Sequence, residues 1–171
     1  MGTASISSRP DNGKGIPWYL WCVAIAVTSV TIGAHWDVSW HRSIGRDTFW
    51  TPAHMAIYLC GVLAGICCGY LILNTTFRRP PELVSSSVGV LGFRAPRGAF
   101  LAAWGGVAML TSAPFDNWWH NAYGLDVKIV SPPHTLLIFG IFAVEIGAFF
   151  LIAAAMNRAG QAQSAKLQWL L

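Results

Sequence analysis

Long apolar runs alternate with short polar turns along this chain. Four runs, near residues 17–36, 52–75, 98–115 and 132–156, are almost free of charge. Each falls within the roughly 17–25 residues that a helix uses to cross a bilayer. The pattern predicts an all-α polytopic membrane protein with four transmembrane helices, arranged as two tandem-repeat hairpins over 16–75 and 98–158. Between them, 76–97 reads as a polar loop, with Arg78-Arg79-Pro80-Pro81-Glu82 and Ser85-Ser86-Ser87; its centre, Val88 to Phe93, is expected to dip into the membrane interface. Residues 1–15 read as a flexible arm, and 159–171 as an interfacial tail ending in Trp169 and two leucines. The first run is too long and lies too late, without a small-residue cleavage site, to be a removable signal peptide.

Composition supports the membrane reading. Of 171 residues, 54% are hydrophobic and only 11% charged, against about 25% charged in soluble domains. The basic residues predict orientation. Arg9, Lys14, Arg78, Arg79, Arg94, Arg97, Arg158 and Lys166 would share one side, which the positive-inside tendency makes the cytoplasm. The expected location is therefore the inner membrane, with both termini cytoplasmic and the two remaining turns periplasmic or exterior. Trp36, Trp40, Trp50, Trp118 and Trp119 would form an aromatic belt at that outer boundary. The net charge of +4 reflects the cytoplasmic loops, so no nucleic-acid partner is implied. Cys22, Cys60, Cys67 and Cys68 all fall within spans; they read as small core residues, without zinc-type spacing or a disulfide framework.

The outer turns carry the chemistry. The first holds Asp37-Val-Ser-Trp40-His41, Gly45-Arg46-Asp47 and Thr51-Pro52-Ala-His54. The second holds Asp116-Asn-Trp-Trp119-His120, Gly124-Leu-Asp126 and Ser131-Pro132-Pro133-His134. Asp37 to Asp116 and His41 to His120 are both 79 residues apart, and His54 to His134 is 80, which predicts a duplication. Both units have the same orientation, so the repeat axis would lie along the membrane normal. Four of the five histidines and four of the seven acidic residues lie in these two copies, a concentration that scattered interfacial residues would not produce.

Within each copy, Asp and the first His are four apart and share a helix face. Thr51-Pro52 and Ser131-Pro132 read as an N-cap followed by a first helical proline, which sets His54 and His134 in the first turn of the returning helix. A hairpin would then close an Asp-His-His cluster, with coordination positions left open. The candidate metal ligands are Asp37, His41 and His54, and Asp116, His120 and His134. Asp47 and Asp126 are expected to cap, to pair with Arg42 or Arg46, or to hold a ligand imidazole from behind. Ligand type alone leaves Zn(II), Fe(II) and Cu open. Bis-histidine haem is a separate possibility, though haem has no use for the aspartate. Glu145, inside the fourth span, reads as a neutral or hydrogen-bonded carboxyl between helices, with a proton relay towards the site as the alternative.

The segment from Asp37 to His54 resembles the C subunit of the copper membrane monooxygenases, the particulate methane and ammonia monooxygenases. That family shows Asp-x3-His-x12-His in a Trp-His … Arg-Asp-Thr … Thr-Pro-x-His context, and this chain has every element at the same spacing. The second turn is similar to a further copper site in the same family, Asn-x3-His-x13-His, with Asp116 where the family pattern has Asn. The chain is shorter than the family usually is and is expected to lack its extra N-terminal membrane segment. The resemblance implies copper as cofactor and Asp37, His41 and His54 as copper ligands and catalytic residues. It further implies other membrane proteins of a monooxygenase complex as partners, and O2 with methane, a short hydrocarbon or ammonia as substrates. A copper storage, delivery or assembly protein, and a small haem b electron carrier, are the alternative functions.

Overall fold

In the computed structural model, residues 15–45, 48–124, 130–159 and 161–171 are described. Four long helices carry the fold: α1 (Trp18–Ser43), α2 (Pro52–Phe77), α4 (Arg97–Tyr123) and α5 (Pro132–Arg158). All four are long and apolar enough to cross a membrane, so the chain is an all-α polytopic membrane protein. Each begins at proline. Pro17 and Pro96 immediately precede α1 and α4, while Pro52 and Pro132 open α2 and α5, where a missing N–H costs no helical hydrogen bond.

α1 and α4 run beyond the apolar stretches expected at 17–36 and 98–115. Both continue for about two turns as polar helix, and α4 reaches its extension across an internal proline, Pro114. Glycine ends these extensions: Gly45 and Gly124 adopt φ of 98° and 86°, a region open to glycine without a Cβ penalty.

The segment between the hairpins is more ordered than a polar loop. It forms the short helix α3 (Pro81–Val84) and an antiparallel hairpin of β1 (Ser87–Val90) and β2 (Phe93–Pro96). Leu91 and Gly92 turn the hairpin with φ of 50° and 86°, the two positive values that match strand twist in a two-residue turn. Thr76 fastens it to the end of α2: its hydroxyl accepts from Arg94 N at 2.8 Å and shares its one proton between Ile72 O at 2.7 Å and Arg94 O at 3.1 Å. Arg158 at the end of α5 donates to Ser86 Oγ. The tail folds as helix α6 (Gln161–Gln168), with Leu167 buried and Trp169 exposed. Most of the expected arm, 1–14, lies outside the described residues.

α1 packs on α2, α2 on α4, and α4 most extensively on α5; α1 and α5 meet along a lesser seam. A lipid-facing surface is as apolar as the core, so close approach of backbones drives such packing. A Cβ on Gly106 would lie 2.7 Å from Gly61 O, and one on Gly105 2.7 Å from Gly140 O. Only glycine permits these contacts. Large apolar side chains such as Ile66, Trp104, Phe139 and Phe142 point outward, as lipid contact requires. Cys60, Cys67 and Cys68 are buried, Cys22 is half-buried, and all four are free thiols, as the core reading expects.

Candidate metal centre

The antiparallel order brings the ends of α1 and α4 and the starts of α2 and α5 to one end of the bundle. Asp37 and His41 lie in the last turns of α1, and Asp116 and His120 in those of α4. His54 and His134 are the third residues of α2 and α5.

In each hairpin the aspartate stands between its two histidines. Asp37 Oδ1 is 3.2 Å from His54 Nε2, and Asp37 Oδ2 is 3.7 Å from His41 Nδ1. Asp116 Oδ2 is 3.3 Å from His120 Nε2, and Asp116 Oδ1 is 3.7 Å from His134 Nδ1. Thus one carboxylate oxygen faces each imidazole in both hairpins.

Backbone carbonyls orient three of the four rings. Nδ1 of His41 lies 2.9 Å from Asp37 O, that of His54 3.0 Å from Thr48 O, and that of His120 3.3 Å from Gly124 O. A carbonyl only accepts, so each Nδ1 carries the proton and donates it. In the neutral ring the lone pair is then on Nε2, the nitrogen a metal would use. For His54 and His120 that lone pair meets a carboxylate oxygen, and two acceptors at this distance require a proton or a metal cation between them. Asp37 Oδ1 and Asp116 Oδ1 are both buried without a hydrogen-bond partner. The 3.2 Å approach of His54 Nε2 to Asp37 Oδ1 is therefore close but misdirected for N–H···O. Metal bonds of about 2.0–2.2 Å place neighbouring ligand atoms roughly 3 Å apart, which the two short contacts match. The two 3.7 Å contacts are longer. Among the described residues, no group of three or more His, Cys, Asp or Glu side chains is arranged, as placed, to hold a metal ion. The close pairs are formed and the closed triplets are not.

The capping residues serve the histidines instead of the helix ends. Thr51 and Ser131 occupy the N-cap positions expected, but neither side chain caps its helix. Thr51 Oγ1 donates to Thr48 O at 2.7 Å and accepts from Thr48 N at 2.8 Å, closing the turn whose carbonyl holds His54. Ser131 Oγ lies 2.7 Å from His134 Nδ1. A local side-chain partner outcompeted the helical N–H groups. Asp47, Asp126 and Arg46 lie outside the described residues.

A cavity of about 60 Å³ lies between the two hairpins. Asp37, His54, Asp116 and His134 line it, with Tyr58 and Ser112; His41 and His120 are outside its lining. Tyr58 was missed by sequence reasoning, although it follows His54 by one helical turn. Its ring stands 5.9 Å from the His54 ring and 5.3 Å from Phe49. Ser112 precedes Asp116 by the same spacing, and its hydroxyl donates to Met109 O at 2.7 Å. Below the cavity, Val30, Ile57, Cys60, Met109 and Val144 form an apolar cluster against which Leu137 and Ile141 pack. Glu145 is half-buried, about 16 Å along α5 from His134, and this apolar cluster occupies the interval.

No protein-family model, curated protein or solved structure matches this chain.

Proposed function

We propose that this chain is a copper-binding component of a copper-dependent membrane monooxygenase, similar to the C subunit of that family. The observation that carries the reading is the aspartate held between two histidines, repeated in both hairpins, with a buried carboxylate oxygen lacking a hydrogen-bond partner each time. The donor set suits a divalent or monovalent copper ion, since imidazole nitrogen is a favoured copper ligand. Asp37, His41 and His54 would hold one ion, and Asp116, His120 and His134 a second. The copper would supply the redox chemistry that activates O2 for hydroxylation of a small substrate.

This chain's own contribution is positional. Backbone carbonyls set the tautomer of three imidazoles, Ser131 pairs with the fourth, and the apolar cluster beneath the cavity keeps water from the membrane interior. The Trp-rich rim, with Trp36, Trp50 and Trp118 exposed near the site, suits a small apolar substrate arriving through lipid. By the distribution of basic residues the site would face the periplasm or exterior.

Metal analysis of protein purified from membranes tests the proposal. Wild type should carry copper, and His41→Ala with His54→Ala should lose the copper of the first hairpin. A purified oxygenase complex that kept full activity after both substitutions would refute the catalytic assignment. Copper bound without O2 consumption in that complex would favour storage or delivery.

A further inference from the structure

At the end of the bundle opposite the candidate metal centre, three arginines flank a bare apolar hairpin tip. We propose that the β1–β2 hairpin and the end of α2 seat an anionic phospholipid. Arg78, Arg79 and Arg94 hold its headgroup phosphate, and Val90, Leu91 and Phe93 meet its acyl chains. This goes beyond the copper reading and does not depend on it.

Strand pairing makes the hairpin two-faced. Val88 pairs with Ala95 and Val90 with Phe93, and alternate pairs share a face, so one face is wholly apolar. Its base is covered, with Ala95 buried and Val88 half-buried. At the tip, Val90 and Phe93 are exposed and Leu91 is 89% exposed. Leu91 also holds φ 50°, at a turn position that Asn or Gly fills more readily. A leucine both bare and in left-handed backbone is doubly unfavourable in water, and contact with acyl chains removes the solvation part of that penalty.

The hairpin also lies at the level of the lipid headgroups. β2 packs on α2, and Thr76, one residue from the end of that helix, holds the Arg94 backbone. α2 has 26 residues, roughly 39 Å at 1.5 Å per residue, against about 30 Å of hydrocarbon. Its last turn and the hairpin tied to it therefore fall near the headgroup boundary, with Phe77 75% exposed there.

Charge selects the lipid. Arg78 and Arg79 directly follow Phe77, Arg94 is tied to the same helix end, and all three are exposed. Among the described residues, no carboxylate lies within ion-pair distance of any of them, and Glu82 is the one acidic residue at this end outside the spans. Arg158 at the end of α5 is already engaged with Ser86. Guanidinium groups match phosphate oxygens in pairs, and a headgroup without a cation of its own is the better match for three of them. A soluble protein could cover the tip, but attachment to the end of a spanning helix favours lipid.

Native mass spectrometry of the delipidated full chain, titrated with phosphatidylglycerol or with phosphatidylcholine of the same acyl chains, tests this. The first phosphatidylglycerol should bind about tenfold or more tighter than the first phosphatidylcholine. Arg79→Gln with Arg94→Gln should cut that preference by about fivefold or more, whereas Arg42→Gln, at the opposite end, should leave it unchanged. In nanodiscs, amide hydrogen exchange over 89–93 should be slower with phosphatidylglycerol present than in phosphatidylcholine alone, and Leu91→Ser should erase the difference. Circular dichroism of every variant should match wild type. Equal affinity for the two lipids, or a preference unmoved by the arginine pair, would overturn the seat. Hairpin amides that exchange alike in both discs would overturn insertion of the tip and leave it to a protein partner. Displacement of the lipid by inorganic phosphate at matched concentration would reduce the seat to a free-anion site and overturn the lipid assignment.

Discussion

Gly105→Ala is the sharpest probe of how the bundle holds its site. A Cβ at Gly105 would sit 2.7 Å from Gly140 O, 2.8 Å from Val144 N and 2.9 Å from Val144 Cγ2. Ordinary contact between such atoms falls at roughly 3.5 Å, so α4 and α5 must part locally by roughly 0.8 Å. Two of the three obstacles are backbone atoms, which no rotamer change moves. Overpacking of this kind costs about 1–3 kcal/mol, while replacing glycine in a helix returns about 1 kcal/mol, and the rigid obstacles put the net loss near 2 kcal/mol. Gly65 is the internal control, because a Cβ there meets nothing within 4 Å, so Gly65→Ala should be neutral or stabilising by up to about 1 kcal/mol. Unfolding in mixed micelles with increasing dodecyl sulfate, followed by circular dichroism, measures both. α4 carries Asp116 and α5 carries His134, so copper affinity in the second hairpin should fall with stability in Gly105→Ala and not in Gly65→Ala. Equal stability of the two variants would refute the close-packing argument.

Three further outcomes are expected. Ser131→Ala removes the 2.7 Å partner of His134 Nδ1 and should lower second-hairpin metal affinity by about 10–100-fold, with helix content unchanged because Ser131 does not cap α5; competition titration with a chelator checks it. Gly124 has φ 86° and ψ −179°, a conformation almost closed to other residues, so Gly124→Ala should cost about 1–3 kcal/mol in the same unfolding assay, and native-like stability would contradict the assignment. Thr76→Val deletes both hydrogen bonds to Arg94 and should speed tryptic cleavage after Arg94 in folded protein, with cleavage after Arg42 unaffected as the reference.

Legibility differed by kind of feature. The four apolar runs and the prolines that open α2 and α5 could be read directly, because each expresses a local rule: hydrophobic length and a missing N–H. The i, i+4 spacing likewise placed Asp37 with His41 and Asp116 with His120. The same spacing rule would have found Tyr58 beside His54 and Ser112 beside Asp116, but neither side chain carries the charge that marks a ligand. α1 and α4 outrun their apolar spans because hydropathy ends where the bilayer would end, whereas helical hydrogen bonding continues into water. The β1–β2 hairpin escaped notice because its turn puts Leu91, a residue rarely at positive φ, in the first position.

By itself, then, the amino-acid order determined a four-span helical membrane protein and an aspartate with two histidines at the mouth of each hairpin, since those follow from patterns within a few turns of helix. Only the tertiary structure decided that Thr51 and Ser131 orient imidazoles instead of capping, that Asp37 and Asp116 each bury one oxygen without a hydrogen-bond partner, and that both pairs open onto one cavity. The shared cavity depends on how closely α2 meets α4 and α4 meets α5 through Gly61, Gly105, Gly106 and Gly140. Helix separation is set by contacts between residues distant in the chain, and no local pattern encodes it.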